Sequence, residues 1–169
     1  MLSSKGKVAV GLATGLVCLG GVVPGLTTSA DARGLHGPEV SQASVLNASL
    51  APSLPTYSTI FGVKPGGAPW ALQSGHVHLG QGGRLEVNVN GLVLTTSGAN
   101  PLPGIAASVF CGGALAATTA SVPFSTTGDA HVHATVSLPS PCLAPAVLLN
   151  PATAAGVNAL VYIAFDGTV

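Results

Sequence analysis

The stretch Gly75-His76-Val77-His78-Leu79 and the stretch Arg84-Leu85-Glu86-Val87-Asn88-Val89-Asn90 both alternate polar and apolar residues, and Gly80-Gln81-Gly82-Gly83 lies between them. Successive side chains of a β-strand point to opposite faces, so this alternation predicts two half-buried strands joined by a glycine-rich turn. One face of the hairpin would pack on a core and the other would contact solvent. We expect Val77, Leu79, Leu85, Val87 and Val89 on the core face, and His76, His78, Arg84, Glu86 and Asn88 on the other.

The rest of the chain consists of similar short extended runs separated by Gly, Pro, Asn and Asp. After the turn sequence Thr126-Thr127-Gly128-Asp129, the run from His131 to Leu138 repeats the polar and apolar alternation. No segment has the length and periodicity of a convincing helix. The pattern therefore predicts an all-β fold, an immunoglobulin-like antiparallel β-sandwich of about 7–9 strands. Further strands are expected at residues 58–63, 70–73, 105–111, 119–124, 146–149 and 159–165.

The N-terminus has the order of residues that is typical of a secretory signal peptide. Lys5 and Lys7 precede an apolar run over residues 8–23, and small residues follow it. This order predicts that residues 1–32 are a signal peptide that is removed on export. We therefore expect the protein to be secreted, and to be extracellular or associated with the cell wall.

Two further segments follow the predicted signal peptide. Residues 33–56 are polar or small and contain three prolines, so we expect a flexible tail or linker there, with one edge strand around residues 45–50 as the alternative. From residue 57 the strand-like runs begin, and residues 57–169 are expected to form the β-sandwich domain. No tight sequence repeat is present, which argues against a solenoid.

Charge excludes some classes of partner. Only 6% of the residues are charged, against about a quarter in ordinary soluble proteins. Residues 33–169 carry three cationic and four acidic side chains, a net charge of −1. Binding of nucleic acid requires several clustered cationic contacts, so we expect no nucleic-acid partner. The cationic residues are Arg33, Lys64 and Arg84, and the acidic ones are Glu39, Glu86, Asp129 and Asp166.

The low charge and the apolar content also bear on two other kinds of contact, with a membrane and with other proteins. After residue 30 no apolar run reaches the length of about 20 residues that a membrane-spanning helix needs, so no membrane span is expected in the mature chain. A surface with few charges lacks the usual electrostatic defence against association. Self-association and a protein or cell-envelope partner therefore both stay open.

The cysteines indicate a disulfide. Residues 33–169 contain Cys111 and Cys142 and no other cysteine. In an exported protein such an even pair is typically oxidised. Closing a loop of about 30 residues should stabilise the fold by roughly 3–4 kcal/mol. A metal site or redox pair made of these two cysteines is the alternative, which their wide spacing disfavours.

The two His-x-His sequences are the candidate metal site. On a strand, residues i and i+2 share a face and lie about 6.5–7 Å apart, and imidazole nitrogens bind Zn or Cu. Convergence of the two strands would offer four nitrogens to one ion. The alternative is that all four are polar side chains on solvent faces, since the alternation alone explains each pair and nothing in the sequence makes the strands neighbours. The residues concerned are His76, His78, His131 and His133.

The sequence offers little for catalysis, and we expect no enzyme. Glu86 and Asp129 are the only conceivable carboxylate pair for glycoside hydrolysis. No Gly-x-Ser-x-Gly sequence is present, and oxidised cysteines cannot supply a thiolate nucleophile. An extracellular hydrolase is accordingly the third hypothesis. We expect no cofactor, with Zn or Cu as the alternative.

Several short sequence segments resemble those of a group of small exported proteins from high-GC Gram-positive (actinobacterial) bacteria. They are residues 60–70 running into 83–87, Gly128-Asp129-Ala130 followed by residues 136–139, and the closing residues 141–145. The resemblance covers roughly residues 57–149 and implies an exported β-sandwich with one disulfide. It implies no activity. The leading functional hypothesis is therefore a secreted, non-enzymatic binding or structural module, and the runner-up is an extracellular metal-binding domain.

Overall fold

Every regular element in the part of the chain that the structure describes is a β-strand. The structure is a computed structural model, and it describes residues 44–168. The prediction of an all-β fold is confirmed for these residues. The strands are β1 (Ser44–Pro52), β2 (Lys64–Pro65), β3 (Trp70–Ala71), β4 (Ser74–Gly80), β5 (Arg84–Asn90), β6 (Val93–Leu94), β7 (Gly104–Cys111), β8 (Ala114–Thr118), β9 (Val122–Pro123), β10 (Ala130–Thr135), β11 (Ala146–Thr153), β12 (Gly156–Val157), β13 (Val161–Tyr162) and β14 (Ala164–Asp166).

Most of these strands form one antiparallel sheet. The order along its main path is β10-β5-β4-β1-β14-β11-β7-β8, and β12 and β9 pair with β11 and β7 beside this path. Two short pairs lie outside the sheet: β2 pairs with β13 in parallel, and β3 pairs with β6 in antiparallel orientation. The antiparallel arrangement of the main sheet agrees with the expectation from the sequence.

β4 and β5 form the predicted hairpin. Val77 lies opposite Val87 and Leu79 lies opposite Leu85. All the side chains expected on the core face are at most 1% exposed. The turn requires glycine at residue 83, where φ is +77° and a Cβ atom would lie 1.9 Å from the carbonyl oxygen of Val136.

β1 joins the two halves of the sheet, because its first part pairs with β4 and its last part pairs with β14. The sheet curls, so that the inner faces of its two halves enclose a shared core. The four-stranded half contains β10, β5, β4 and β1, and the five-stranded half contains β1, β14, β11, β7 and β8. The core side chains from the two halves include Leu46, Leu50, Val77, Leu79, Leu85, Val87, Val132, Ile105, Val109, Val147, Leu149 and Ile163.

The start of the domain differs from the expectation. The expectation for residues 33–56 is a tail or linker with at most an edge strand around residues 45–50, but residues 44–52 form β1, which lies inside the sheet with a neighbour on each side. Leu46, Ala48 and Leu50 are buried and alternate with the exposed Asn47 and Ser49, so this part of the strand has one core face. Residues 1–43, which include the predicted signal peptide and the rest of the tail, lie outside the described residues.

Cys111 and Cys142 form the predicted disulfide, with Cα atoms 5.0 Å apart. Cys111 is the last residue of β7, and Cys142 lies in the connection from β10 to β11. The bond therefore ties the link between the two halves of the sheet to a strand of the five-stranded half.

Among the described residues, 44–168, there is no helix long and apolar enough to cross a membrane.

The outer face of the five-stranded half is mostly apolar, with Ser108 and Asn150 as its buried polar residues, and part of it lies beneath the segment that follows β1. The ring of Tyr57 packs edge-on against Phe165 with ring centroids 5.9 Å apart, and the ring of Phe61 lies 5.2 Å from that of Phe110. We call this surface the covered face. Its buried members are Val63, Phe110, Ala146, Leu148, Tyr162 and Phe165.

Candidate functional site: the histidine face

The outer face of the four-stranded half is polar. His76 in β4 lies opposite Asn88 in β5, which lies opposite His131 in β10. His78, Glu86 and His133 form the next row in the same order. All four candidate histidines therefore share one surface, which we call the histidine face. Its members are Asn47, Ser49, His76, His78, Glu86, Asn88, His131 and His133.

The two His-x-His strands share this face without being direct neighbours. β5 lies between β4 and β10, so the two pairs are separated by two strand spacings, about 9.6 Å. Within residues 44–168, no three side chains among His, Cys, Asp and Glu are grouped closely enough to hold a metal ion. The structure therefore brings the four predicted ligands onto one surface but does not bring them around one point.

Asparagine side chains orient the two histidines of the first row. Nδ1 of His131 lies 2.5 Å from Oδ1 of Asn88, and Nε2 of His76 is hydrogen-bonded to Oδ1 of Asn47. An amide oxygen only accepts, so the ring nitrogen donates in each pair. The second ring nitrogen then keeps its lone pair when the ring is neutral. That nitrogen is Nε2 in His131 and Nδ1 in His76.

The second row places a carboxylate between two imidazoles. Glu86 lies opposite His78 on one side and opposite His133 on the other. Directly opposite residues of antiparallel strands have Cβ atoms about 4.5–5.5 Å apart. Nδ2 of Asn88 donates to Oε1 of Glu86 at 3.4 Å, which links the two rows. The rings of His131 and His133 are stacked, with centroids 6.4 Å apart and planes inclined by 24°.

Glu86 and Asp129 do not form a hydrolytic carboxylate pair. Glu86 lies opposite His133, whereas Asp129 precedes that position by four residues, about 13 Å along an extended strand. Glycosidases hold their two carboxyl groups about 5–9.5 Å apart and raise the pKa of one of them. In Asp129 the hydrogen bond from Thr127, followed by that from the backbone N–H of Gly91, lowers the pKa, so this carboxyl group serves the turn before β10 as an anion.

A cavity on the covered face is a further candidate site. It has a volume of about 340 Å³. Its polar group is already engaged, because the hydroxyl of Tyr162 donates to the carbonyl of Ser58 at 2.9 Å. Burial raises the pKa of Tyr162, and Tyr57 raises it further. No local sequence pattern indicates this cavity, since its lining comes from both ends of the domain. The lining residues are Tyr57, Ser58, Ile60, Tyr162 and Phe165.

Comparison with protein-family models, with curated proteins and with solved structures finds no match to this chain. The resemblance to small exported bacterial proteins therefore stays a prediction. Because a fold class alone does not determine function, the function has to be argued from the chemistry of the site.

Proposed function

We propose that this protein is a non-enzymatic binding module that acts outside the cytoplasm, in the cell envelope or the extracellular space. The order of residues 1–32 supports export, and the disulfide between Cys111 and Cys142 is typical of an oxidising compartment. We further propose that the curled sheet corresponds to an immunoglobulin-like β-sandwich, an architecture that many cell-surface domains share.

The observation that supports the binding role is the difference between the two outer faces of the sheet. The covered face is apolar and buried, whereas most side chains of the histidine face are exposed. On that exposed surface, His76 and His131 are held by Asn47 and Asn88. Side chains that are ordered before a partner arrives lose less conformational entropy when it binds. We therefore assign binding to the histidine face.

The chemistry of this face favours a polar partner. When the histidines are neutral, the charged side chains of this outer face are Glu86 and, two residues before it on β5, Arg84, whose charges are opposite. The remaining members offer hydrogen-bond donors and acceptors at the regular spacings of a sheet. We propose that the partner is a component of the cell envelope that is recognised mainly through hydrogen bonds.

Cosedimentation of the full, oxidised chain with the isolated envelope of its parent cell tests this proposal. The test variant replaces all four histidines of the face by Gln, which keeps a polar side chain but removes the ring. We expect the apparent affinity to fall about tenfold or more, which corresponds to at least about 1.4 kcal/mol of binding free energy. Far-UV circular dichroism shows whether the variant keeps its sheet content.

Leu160→Gln is the matched control. Leu160 is 73% exposed and precedes β13, outside the histidine face. We expect this variant to bind the envelope like the unsubstituted chain. Full binding by the four-histidine variant, or loss of binding in Leu160→Gln alone, would assign recognition to another surface.

A further inference from the structure

We infer that His131 and His133 on β10 chelate a divalent transition metal ion, Zn²⁺ or Cu²⁺, and that such an ion is the ligand class of the histidine face. This inference rests on the proposed binding role of that face and gives it a chemically defined ligand. Both ions bind imidazole nitrogen well, and their shared chemistry is what the site would recognise.

The two rings have the placement and the freedom that a chelate needs. They belong to residues i and i+2 of one strand and are both exposed on the same side. Their stacked arrangement leaves the centroids 6.4 Å apart. Bonds of about 2.0–2.1 Å from each nitrogen to the ion require the ring tips to approach. Rotation about the side-chain bonds of the exposed His133 allows this approach without a change in the backbone.

The hydrogen bond from His131 to Asn88 favours a metal-binding tautomer. Metal-binding histidines usually donate their second ring N–H to an oxygen, which fixes the ring and leaves a lone pair for the ion. His131 has this arrangement, since Nδ1 donates to Oδ1 of Asn88. The nitrogen left for the ion is Nε2, which lies at the tip of the ring. Asn88 is therefore a positioning residue for the proposed site.

His76 and His78 form the same sequence pattern but lack this arrangement. In His76 the hydrogen bond to Asn47 engages Nε2 and leaves Nδ1, the nitrogen beside Cβ, where the backbone restricts access. His78 is only partly exposed and lies between Asn47 and Glu86 in the register. β4 also has a strand on each side, whereas β10 ends the sheet path and is paired there with β5 alone. The two pairs therefore differ in access to an ion.

Glu86 is placed to supply a third ligand. It lies opposite His133, and Asn88 donates a hydrogen bond to its carboxylate. Two imidazoles and a carboxylate make a ligand set that zinc accepts, with a position left for water. Because no three such groups are already clustered within residues 44–168, the ion would draw Glu86 and the two rings together as it binds.

Isothermal titration of Zn²⁺, and separately of Cu²⁺, into the full oxidised chain at neutral pH tests the inference. Replacing both His131 and His133 by Gln is expected to weaken metal affinity about tenfold or more. Leu160→Gln, outside the histidine face, is the control that should leave the affinity unchanged, and replacing both His76 and His78 by Gln should weaken it less than replacing the pair on β10. His36 is present in every variant, so it cannot create a difference between them.

Asn88→Leu tests the positioning step, because it keeps both histidines of β10 and removes the oxygen that fixes the tautomer of His131. We expect it to weaken affinity about tenfold, the smaller end of the range for residues that orient metal ligands. Absence of metal binding by the unsubstituted chain, or equal losses from the two histidine pairs, would overturn the inference.

Repeating the envelope cosedimentation with a chelator present separates the two proposals. Envelope binding that persists with the chelator supports the binding module even if the titration detects no binding of Zn²⁺ or Cu²⁺.

Discussion

The covered face and the histidine face are the two outer surfaces of one curled sheet, and they have opposite chemistry. On the covered face, Phe110 and Leu148 are buried although they point away from the shared core. On the histidine face, the outward side chains are polar, and two of the histidine rings are hydrogen-bonded to asparagines. The strands explain the difference. β11 is buried on both sides along residues 146–150, whereas β5 alternates buried and more exposed residues.

This difference indicates where stability and where binding reside. A strand that is apolar on both sides requires a cover, and the burial of that cover stabilises the fold. A strand with a polar outer side needs no cover, and its side chains remain accessible to a partner. Substitutions on the two faces should therefore change different properties of the protein, and by different amounts.

Leu148→Ala on the covered face should have the largest effect on stability. Leu148 is 0% exposed, so its truncation removes buried apolar surface and leaves a cavity, which costs about 2–5 kcal/mol of the free energy of unfolding. Chemical denaturation measures this loss. The paired variant His133→Ala lies on the histidine face and should change the free energy of unfolding by no more than about 0.5 kcal/mol. Similar losses in both variants would mean that the two faces do not divide stability and binding as proposed.

Replacing Cys111 and Cys142 together by Ser should have a somewhat smaller effect. The cysteines are 31 residues apart, and releasing that loop in the unfolded chain should cost roughly 3–4 kcal/mol of stability. The bond ties the connection between the two halves of the sheet to β7, so its loss tests how far the halves depend on that link. Denaturation of the double variant beside the reduced unsubstituted chain measures the loss. A loss of stability in the double variant that the reduced unsubstituted chain does not share would mean that the substitution, and not the missing bond, is responsible.

The local alternation of residues was sufficient to predict the hairpin of β4 and β5, including which side chains are buried. A two-residue period determines both the strand and its faces, so no information from the rest of the chain was needed. The disulfide was equally predictable, because Cys142 is the one other cysteine in residues 33–169. The central place of β1 in the sheet was not, since its pairing with β4 and β14 depends on residues far along the chain.

The sequence predicted the four histidines of the candidate site but not their arrangement. Each pair faces outward because its neighbours Val77 and Val132 face the core. Nothing local to β10 specifies that it pairs with β5, and this long-range pairing alone creates the two rows. The cavity of the covered face was missed for the same reason, since 104 residues separate Ser58 from the Tyr162 that contacts it.

Asp129 gives the smallest predicted effect and concerns the turn that leads into the histidine face. Hydrogen bonds, first that from Thr127 and then that from Gly91, lower the pKa of Asp129 from its ordinary value of 3.8. A group whose pKa is lower in the folded state contributes stability above its unfolded pKa and loses that contribution as the pH falls through the folded pKa. The contribution should therefore be complete above about pH 4–5 and disappear at more acidic pH.

Asp129→Asn should accordingly reduce the acid-induced fall in stability, and Thr127→Val, which removes the largest cause of the shift, should act in the same direction. Denaturant midpoints measured at intervals between about pH 5 and pH 2 give the slope for each variant. Part of the slope should remain, because the chain keeps other carboxyl groups. Slopes that are identical in all three proteins would show that the charge of Asp129 in this turn does not stabilise the four-stranded half of the sheet. The hydrogen bonds of Asp129 would then only shape the entry into β10, and the stability of the histidine face would come entirely from the core beneath it.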